Sequence, residues 1–398
     1  MKKVYLDNSS TTPLDKEVLN AMSKYWSNDF GNPSSIHSMG VKAKVALQNA
    51  RKTIASFVKG HDREIVITSG GTEANNLAIF GLINKVRKEG RKYSDIHLIT
   101  TEIEHSSIYE CFNELVSRGA KVDYLKVNEF GIVNPKDLRE LITKNTLLVS
   151  VGYANSEIGT IQPIKEIIKE IRHKRKEYSD SRFSAPYFHI DSSQAGLYLN
   201  MNVEELGVDL MTIDAQKMYG PKGIGALYVR TGVEVAPIMF GGGQEKGIRS
   251  GTENIPLIAG FAKTLELAEK NKKKEDVRLG KLRDNFFLGV KKSIPNVIIN
   301  GDLKNRLSNN INISIPGQDG ELMVLRLDEA GIICSSASAC ASGEGESKVV
   351  RKIAEKTEAR NNEIDARAKS TIRFSLGSDT KATDMDRLLK TLKKVISY

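Results

Sequence analysis

The sequence contains few cysteines, one tryptophan and no long apolar run. Its three cysteines, Cys111, Cys334 and Cys340, are too scattered for a disulfide framework, and their spacing fits no metal knuckle. We therefore expect neither structural disulfides nor a metal site. No stretch approaches a membrane span, and the N-terminal residues Met-Lys-Lys-Val-Tyr-Leu-Asp form no apolar targeting core. These absences predict a cytoplasmic protein without a membrane partner.

The composition is that of an ordinary globular protein, with 40% apolar and 27% charged residues. A chain of 398 residues is long enough for a large core and for two domains. Lysine and arginine exceed aspartate and glutamate by 59 to 49, which gives a formal charge of +10. The basic clusters at 172–176 and 270–274 have helical periodicity and no interleaved aromatics. We interpret them as solvated helix faces rather than a nucleic-acid site; an acidic partner protein is an alternative.

Apolar, strand-like runs alternate with helix-like segments along the whole chain. This alternation predicts an α/β architecture with a mainly parallel sheet. Four of the runs, at 65–68, 96–100, 147–152 and 187–190, each end in a polar loop. Open sheets of this class bind ligands beyond the carboxyl ends of their strands, so we expect the four loops to share one edge.

Lys217 lies between two further apolar runs, 208–213 and 224–229. Burial at a strand end disfavours an ammonium group, so this lysine can bond covalently to a carbonyl compound such as pyridoxal phosphate. A turn lysine that neutralises backbone carbonyls is the alternative.

Gly71 and Thr72 follow a strand and open a helix, which favours a phosphate site, although an ordinary turn with a threonine cap fits the same residues.

Four polar residues in the other loops suit the same cofactor. Asp191 fits a pyridinium nitrogen, which must stay protonated if the ring is to withdraw electrons. Gln194 and Asn155 can form hydrogen bonds with ring substituents. His105 can stack on the ring and move protons. Each residue alone also fits a cap or a turn, and together they favour a pyridoxal phosphate site.

The C-terminal part adds a cysteine and an arginine. Cys340 lies in a run of small residues, 335–345, that cannot bury a core, so we expect a mobile surface loop. An exposed cysteine on such a loop can attack a bound ligand and then present the product elsewhere. Cys334 and Cys111 fit apolar packing instead. Arg373, within a predicted strand, has the shape to bind a carboxylate, and a surface ion pair is the alternative.

Ten motifs occur along the chain in an order that is specific when taken together. They lie at 5–13, 31–37, 68–74, 104–105, 157–159, 191–194, 217–223, 249–252, 335–340 and 372–377. In this order the motifs resemble those of the cysteine desulfurases of the class-V aminotransferase group, the NifS/IscS type. The resemblance covers essentially the whole chain.

The resemblance implies a fold-type I pyridoxal phosphate enzyme that forms a homodimer. It implies a large cofactor-binding domain at 15–257 and a small domain formed by 1–14 and 258–398. By this resemblance Lys217 is the covalent attachment point and the base, and Cys340 is the sulfur acceptor. Around the cofactor ring, Asp191 contacts the nitrogen, His105 stacks on the ring, and the residues near the ring oxygen are Gln194, Asn155 and Ser156. The residues implied at the phosphate are Gly71, Thr72, Asp214, Gln216 and the other subunit's Thr252, and those implied at the substrate are Asn8, Asn32 and Arg373.

The implied reaction takes sulfur from L-cysteine, giving L-alanine and a persulfide on Cys340. A sulfur-acceptor protein, either an iron–sulfur scaffold or a tRNA-thiolation protein, would then receive the sulfur. A selenocysteine lyase or an aminotransferase on the same scaffold would keep Lys217 and Asp191 but would not need Cys340. A non-enzymatic scaffold is a further alternative.

The chain departs from the family pattern near the lysine. The family commonly has a histidine before the lysine and a serine two residues earlier, both contacting the phosphate, where this chain has Gln216 and Asp214. Glutamine can still donate a hydrogen bond. A carboxylate would repel a phosphate, so Asp214 must point away, be paired or weaken cofactor retention. Two further departures are Ser156 in place of a second asparagine and Gln244 in place of a histidine.

Overall fold

The computed structural model describes residues 3–178, 186–336 and 345–396. The strands are β1 Val4–Tyr5, β2 Ile65–Thr68, β3 His97–Thr101, β4 Lys121–Leu125, β5 Thr146–Gly152, β6 Tyr187–Asp191, β7 Leu210–Asp214, β8 Gly225–Val229, β9 Ile298–Ile299, β10 Asn310–Ser314, β11 Ile332–Ile333 and β12 Thr371–Ser375. The α-helices are α1 Lys16–Ser27, α2 Ser38–Phe57, α3 Gly71–Lys88, α4 Ser106–Ser117, α5 Pro135–Leu141, α6 Ile164–Glu177, α7 Val203–Leu206, α8 Ile255–Ser293, α9 Gly320–Glu329, α10 Lys348–Ala354, α11 Asn361–Lys369 and α12 Ala382–Ile396.

A seven-stranded sheet, in the order β2-β8-β7-β6-β5-β3-β4, organises the first two thirds of the described chain. Neighbouring strands from β4 to β7 pair in parallel, and β8 runs antiparallel to both β7 and β2. The prediction of a mainly parallel sheet is therefore confirmed. Strands β2 and β7 are both antiparallel to β8, so β2 points the same way as β3, β5, β6 and β7. The carboxyl ends of the four predicted strands, β2, β3, β5 and β6, therefore meet at one edge, and that of β7 lies there too.

Helices cover both faces of this sheet, which is why its strands read as continuous apolar runs. Side chains on a strand alternate between faces, and β2 shows the two cores: Ile65 and Ile67 pack into one, and Val66 packs into the other. The first core includes the buried residues of α2 and α6, and the second includes those of α3 and α4. In α2 the spacing of Ala43, Leu47, Ala50, Ile54 and Phe57 by three or four residues predicts one apolar face, and all five residues are buried.

A second, smaller unit contains the antiparallel sheet β12-β10-β9 and the parallel pair β1-β11. Because β1 pairs with β11, the beginning of the chain is fixed to its C-terminal part. The sequence predicts a helix that begins near Pro256 and ends near residue 274 as a bridge to a second domain. Helix α8 is 39 residues long and extends well past that end. Its buried residues up to Ala268 belong to the core of the large sheet, and those from Leu279 to Val290 belong to the core of the small unit. The predicted domain boundary at residues 257 and 258 stays a prediction.

The alternation of isoleucine with polar residues at 311–315 predicts a half-exposed strand, and this prediction is wrong. All five residues of β10 are buried, and its polar side chains face a loop of the large unit instead of solvent. Asn310 and Asn312 both donate to the carbonyl oxygen of Glu157 at 3.0 and 3.1 Å. Alternation reveals two chemically different faces, but it does not distinguish water from a buried polar partner.

Among the described helices, none is both long and apolar enough to cross a bilayer.

The loop after β5 joins the two units through Gly159. This glycine has φ 72°, and a Cβ atom placed on it would lie 2.5 Å from Cγ of Asn310. Arg306, which is buried, donates from Nε to the neighbouring carbonyl of Ile158 at 3.1 Å. The contact between the units therefore requires a residue without a side chain at 159.

We expect Gly159→Ala to lower the free energy of unfolding by about 2–5 kcal/mol, from left-handed backbone strain together with overpacking. Gly232→Ala is the matched control, because Gly232 also has a positive φ, 91°, but a Cβ there would meet no atom within 4 Å. The control should cost only about 1–2 kcal/mol. Urea unfolding of the three proteins measures this, and equal losses in both variants would show that the contact with Asn310 contributes nothing.

Candidate active site

A cavity of about 270 Å³ opens at the carboxyl edge of β3, β5, β6 and β7. Most of the residues predicted to form a cofactor and substrate site line this cavity, although they are widely separated in sequence. They are Gly71, Thr72, His105, Asn155, Ser156, Asp191, Gln194, Asp214, Gln216, Lys217 and Arg373. The edge inferred from strand direction is therefore where these side chains meet.

Lys217 ends a short 3-10 turn, Ala215–Lys217, that follows β7 directly. Its Nζ donates to the carbonyl oxygens of Ser9 at 2.9 Å and Ser10 at 2.5 Å. The side chain is half-buried and lines the cavity. The amine thus lies at the cavity, as a lysine that bonds to a carbonyl compound must, and the N-terminal segment holds it there.

Asp191, the last residue of β6, has three hydrogen-bond donors around its carboxylate. Oδ1 accepts from the Ser193 backbone N at 2.9 Å and from its Oγ at 2.6 Å, and Oδ2 accepts from Asn75 Nδ2 at 2.8 Å. The same Asn75 nitrogen donates to Ser107 Oγ at 2.9 Å. These bonds fix the orientation of the carboxylate toward the cavity. Sequence reasoning missed Asn75 and Ser193; the available signal for Asn75 was a polar residue on the buried face of α3.

His105 caps the N-terminus of α4 and presents its ring to the cavity. The backbone N–H of Ser107 donates to Nδ1 at 3.1 Å, so Nδ1 is an acceptor and the neutral ring carries its proton on Nε2. Burial lowers the pKa of His105, and the positive charge of Lys217 lowers it further, whereas Asp191 and Asp214 oppose this effect. A neutral, flat ring suits stacking on a cofactor.

Glu104 is a lining residue that the sequence reasoning did not select. Its carboxyl accepts from the backbone N of Gly152 at 3.0 Å and from Thr101 Oγ1 at 2.7 Å. Burial raises the pKa of Glu104 to about 7, against these hydrogen bonds, and the charge of Asp191 raises it further. The available signal was its place in a motif directly before His105.

The start of α3 and the end of β7 meet at Asp214. A Cβ placed on Gly71 would lie 3.3 Å from Asp214 Oδ2 and 3.0 Å from Ser193 Oγ, so a side chain at 71 would require both neighbours to shift. Gln216 donates to Asp214 from its backbone N at 3.3 Å and from Nε2 at 3.2 Å. Of the three expectations for Asp214, pairing is what the structure shows: the carboxyl is paired with Gln216 and faces the helix start.

Arg373, on β12, is fully buried, so the surface ion pair considered from the sequence is wrong. Its Nη2 donates to Asp7 Oδ1 at 2.9 Å and to Ser10 Oγ at 2.8 Å, and its Nη1 donates to the Ser156 carbonyl oxygen at 3.3 Å. Within the described part of the chain its Nε has no hydrogen-bond partner. A buried cation with an unused donor at a cavity is suited to a carboxylate ligand.

Asn155 and Gln194 line the cavity but also hold the surrounding chain. Asn155 donates from Nδ2 to the Ile103 carbonyl oxygen at 2.9 Å, and its Oδ1 accepts from the backbone N of Glu157 at 2.9 Å. Gln194 donates from Nε2 to the Ser9 carbonyl oxygen at 3.0 Å. Their contacts with a cofactor stay predictions, because both side chains already have structural partners.

The structure does not bring every predicted residue into the cavity. Asn8 is buried and donates to the Ser375 carbonyl oxygen, whereas exposed Asn32 accepts from the Ser34 backbone within its own loop. Thr252 is also exposed. The roles of these three residues stay predictions, and Cys340 lies outside the described residues. The other two cysteines are buried as predicted, and burial raises the pKa of the Cys111 thiol to about 12.

These residues fit pyridoxal phosphate. A lysine amine and a carboxylate face one cavity, and the start of α3, at Gly71 and Thr72, also lines it. Two residues that line this cavity, Asn75 and Arg373, each have a buried polar atom, Oδ1 and Nε, without a hydrogen-bond partner among the described residues. A polar cavity with convergent groups of this kind is expected to hold a polar ligand.

Glu104 should make stability depend on pH, because its folded-state pKa is about 7 and its reference value is 4.5. A raised acid pKa means that the unfolded chain loses this proton first, so the wild type loses stability as the pH rises between these values. Glu104→Gln lacks this effect. Its stability relative to wild type should rise by up to about 1.4 kcal/mol per pH unit in that window. Urea unfolding at several pH values measures the difference, and a constant difference would contradict the assignment.

Comparison with known proteins agrees with this geometry. The model of the family described as aminotransferase class-V matches residues 4–388. A curated relative, cysteine desulfurase IscS of Dictyoglomus turgidum, is 42% identical over 395 residues, covering 99% of this chain and 95% of that protein. A solved NifS-like protein superimposes with a TM-score of 0.88 at 31% identity over 99% of both chains. A solved structure of SspA in complex with cysteine gives a TM-score of 0.76 at 31% identity, covering 94% of this chain and 99% of that one. The chain belongs to the class-V aminotransferase family.

Proposed function

We propose that the chain is a pyridoxal phosphate-dependent cysteine desulfurase. The observation that carries this proposal is the meeting of Lys217, Asp191 and Arg373 at one cavity. The lysine can attach a carbonyl cofactor, the aspartate can pair with its ring nitrogen, and the arginine can take the substrate carboxylate. The relatives named cysteine desulfurase, and the similar structure that contains cysteine, support L-cysteine as the substrate.

Pyridoxal phosphate supplies an electron sink when bound, which labilises the bonds at the α-carbon of an amino acid. The residues of the chain do the rest. Lys217 Nζ, freed from the Ser9 and Ser10 carbonyls, takes the proton from the substrate α-carbon. Arg373 orients the substrate through its carboxylate. His105, neutral and protonated at Nε2, can donate that proton within the cavity.

Sulfur leaves the substrate by transfer to a thiol. We assign this thiol to Cys340: its sulfur forms a bond to the substrate sulfur, the carbon–sulfur bond breaks, and the thiol proton balances the proton gained by the alanine carbon. The products are L-alanine and a persulfide, so no external oxidant or reductant is needed. Cys334 and Cys111 are poor candidates, because burial raises the pKa of both thiols and keeps them protonated. The persulfide would then pass to an iron–sulfur scaffold or a tRNA-thiolation protein.

We further propose that the enzyme is a homodimer. Large apolar side chains are exposed in two loops, including Ile36 at 98% and Phe240 at 77%. The loop that carries Phe240 lies beside the start of α3. In this loop Arg249 forms a β-bridge with Met239, and its side chain donates to Glu73 in the first turn of that helix. Thr252 is exposed on the same loop, so it can reach a second copy. The cytoplasmic location expected from the sequence stays a prediction.

Replacing Lys217 and Cys340 should separate cofactor binding from sulfur transfer. Lys217→Ala should lose the near-visible cofactor absorption and about 100- to 10,000-fold of the activity, because attachment and proton transfer both disappear. Cys340→Ala should keep the absorption but form no persulfide. Mass spectrometry after exposure to L-cysteine, looking for one added sulfur on the Cys340 peptide, measures this step.

Cys334→Ala is the matched control and should keep both the absorption and the added sulfur. Undiminished production of alanine by Cys340→Ala would instead favour a lyase that releases sulfur without this thiol. Absence of the absorption band in wild type, together with no effect of Lys217→Ala, would favour a non-enzymatic scaffold.

The dimer proposal predicts that Phe240→Asp converts the protein to a 44.0 kDa monomer at concentrations where wild type sediments at twice that mass. An unpaired carboxylate buried at an interface costs about 3–5 kcal/mol, which raises the dissociation constant at least about 100-fold. Sedimentation velocity measures the mass. Leu325→Asp, at another exposed apolar residue, is the control and should stay dimeric. A wild type that sediments as a monomer contradicts the proposal.

A further inference from the structure

Asp214 places a carboxyl group where the proposed cofactor would place a phosphate. It ends β7 and is only 4% exposed. Its Oδ2 would lie 3.3 Å from a Cβ on Gly71, the first residue of α3. Because α3 is 18 residues long, its free N–H groups and dipole make this point attractive to an anion. In the structure the Asp214 carboxyl occupies the immediate surroundings of that point.

The charges around Asp214 do not compensate two negative groups. Burial raises the pKa of Asp214, and the charge of Asp191 raises it further. The cation Lys217, three residues on in the same turn, and the hydrogen bonds from Gln216 lower this pKa, but the net change is an increase. His105 faces Asp214 from the start of α4. Burial lowers the pKa of His105, so its ring is neutral and supplies no positive charge. Glu73, in the first turn of α3, already accepts hydrogen bonds on its carboxylate from the Arg249 side chain and the Ser69 backbone N–H. Among the described residues, a phosphate added here would therefore leave two negative groups facing one cation, Lys217.

We propose that Asp214 binds the cofactor phosphate as the neutral acid, so that cofactor binding takes up one proton and weakens as the pH rises. This inference rests on the proposed pyridoxal phosphate dependence. Two ionised groups at close range in a buried site repel strongly. A carboxylic acid instead donates a short hydrogen bond to a phosphate oxygen. The proton comes from solvent and stays on Asp214 while the phosphate is bound.

Gln216 permits either state of Asp214. Its backbone N–H and side-chain amide donate to the two carboxyl oxygens when Asp214 is ionised. A neutral acid keeps an acceptor oxygen, so Gln216 can still donate to Asp214 while the single acid O–H donates to the phosphate. A cation at 216 would hold Asp214 in its ionised form. The uncharged partner is therefore what lets the proton number change on binding.

The test compares cofactor binding by apo wild type and Asp214→Asn between pH 6 and 9. The ligand is pyridoxamine phosphate, which binds without covalent attachment to Lys217, and pyridoxamine serves as the ligand without a phosphate. We expect the ratio of wild-type to variant dissociation constants for pyridoxamine phosphate to rise with pH, by up to about tenfold per unit once Asp214 ionises. For pyridoxamine the ratio should stay constant. Calorimetry in buffers of different ionisation enthalpy should show one more proton taken up by wild type.

Asp214→Ser is a second variant that also removes the carboxyl and can still cap the turn. It should match Asp214→Asn in its pH dependence, which guards against misfolding of one variant. Asp386→Asn, at an exposed site on α12, is the matched control and should behave like wild type. A ratio that is flat with pH, or that rises equally for pyridoxamine, would overturn the inference and leave the proposed function intact. Failure of every protein to bind pyridoxal phosphate would overturn the proposed function and this inference with it.

Discussion

The buried ion pair between Arg373 and Asp7 is the interaction on which the site depends. Arg373 belongs to a strand of the small unit, and Asp7 belongs to the N-terminal segment. A guanidinium that is 1% exposed needs a negative partner, because an unpaired buried charge is strongly destabilising. The pair therefore fixes the N-terminal segment across the cavity. Three residues further on, the Ser10 carbonyl oxygen accepts from Lys217, so the small unit positions the lysine of the large unit through this segment.

The same segment continues to the lysine turn. Thr12 donates from Oγ1 to the Gln216 carbonyl oxygen at 2.9 Å, and the Tyr219 backbone N donates back to Thr12 Oγ1 at 2.7 Å. Tyr219 has φ 63°, a strained conformation for a residue other than glycine. Two hydrogen bonds to one threonine can hold such a turn in place. Residues with no role in the chemistry thus determine where the amine of Lys217 lies.

Three carboxyl groups share the cavity, and their surroundings give them different functions. Asp191 accepts three hydrogen bonds, which suits a carboxylate that is proposed to pair with the ring nitrogen of the cofactor. Glu104 is buried against Gly152 and Thr101, and its pKa is raised to about 7, so it can hold a proton near neutral pH. The pKa of Asp214 is also raised by burial. Environment, rather than residue type, therefore separates the group suited to a ring cation from the groups that can carry protons.

Much of this site could be predicted from the sequence because strand direction is a strong constraint. Apolar runs that end in polar loops placed Lys217, Asp191 and His105 at one edge, and the structure agrees. Asn75 could not be found in this way, since it lies inside a helix and reaches Asp191 only through the packing of α3 on the sheet. The burial of β10 was missed for a similar reason: its partner, the loop at Glu157, is 153 residues away from Asn310. Periodicity records which face a residue occupies, and long-range contacts decide what covers that face.

The two departures near the lysine are best understood as one structural unit. Asp214 is buried and accepts both of its hydrogen bonds from Gln216. A buried carboxyl that loses its donors costs about 1–3 kcal/mol or more, so Asp214 beside an apolar residue at 216 would be destabilising. A histidine at 216 would bring a titratable cation next to the carboxyl and favour its ionised form, which a neighbouring phosphate opposes. An uncharged amide avoids both effects, because it supplies hydrogen bonds without fixing the charge. Asp214 therefore requires an uncharged hydrogen-bond donor beside it, and Gln216 meets this requirement.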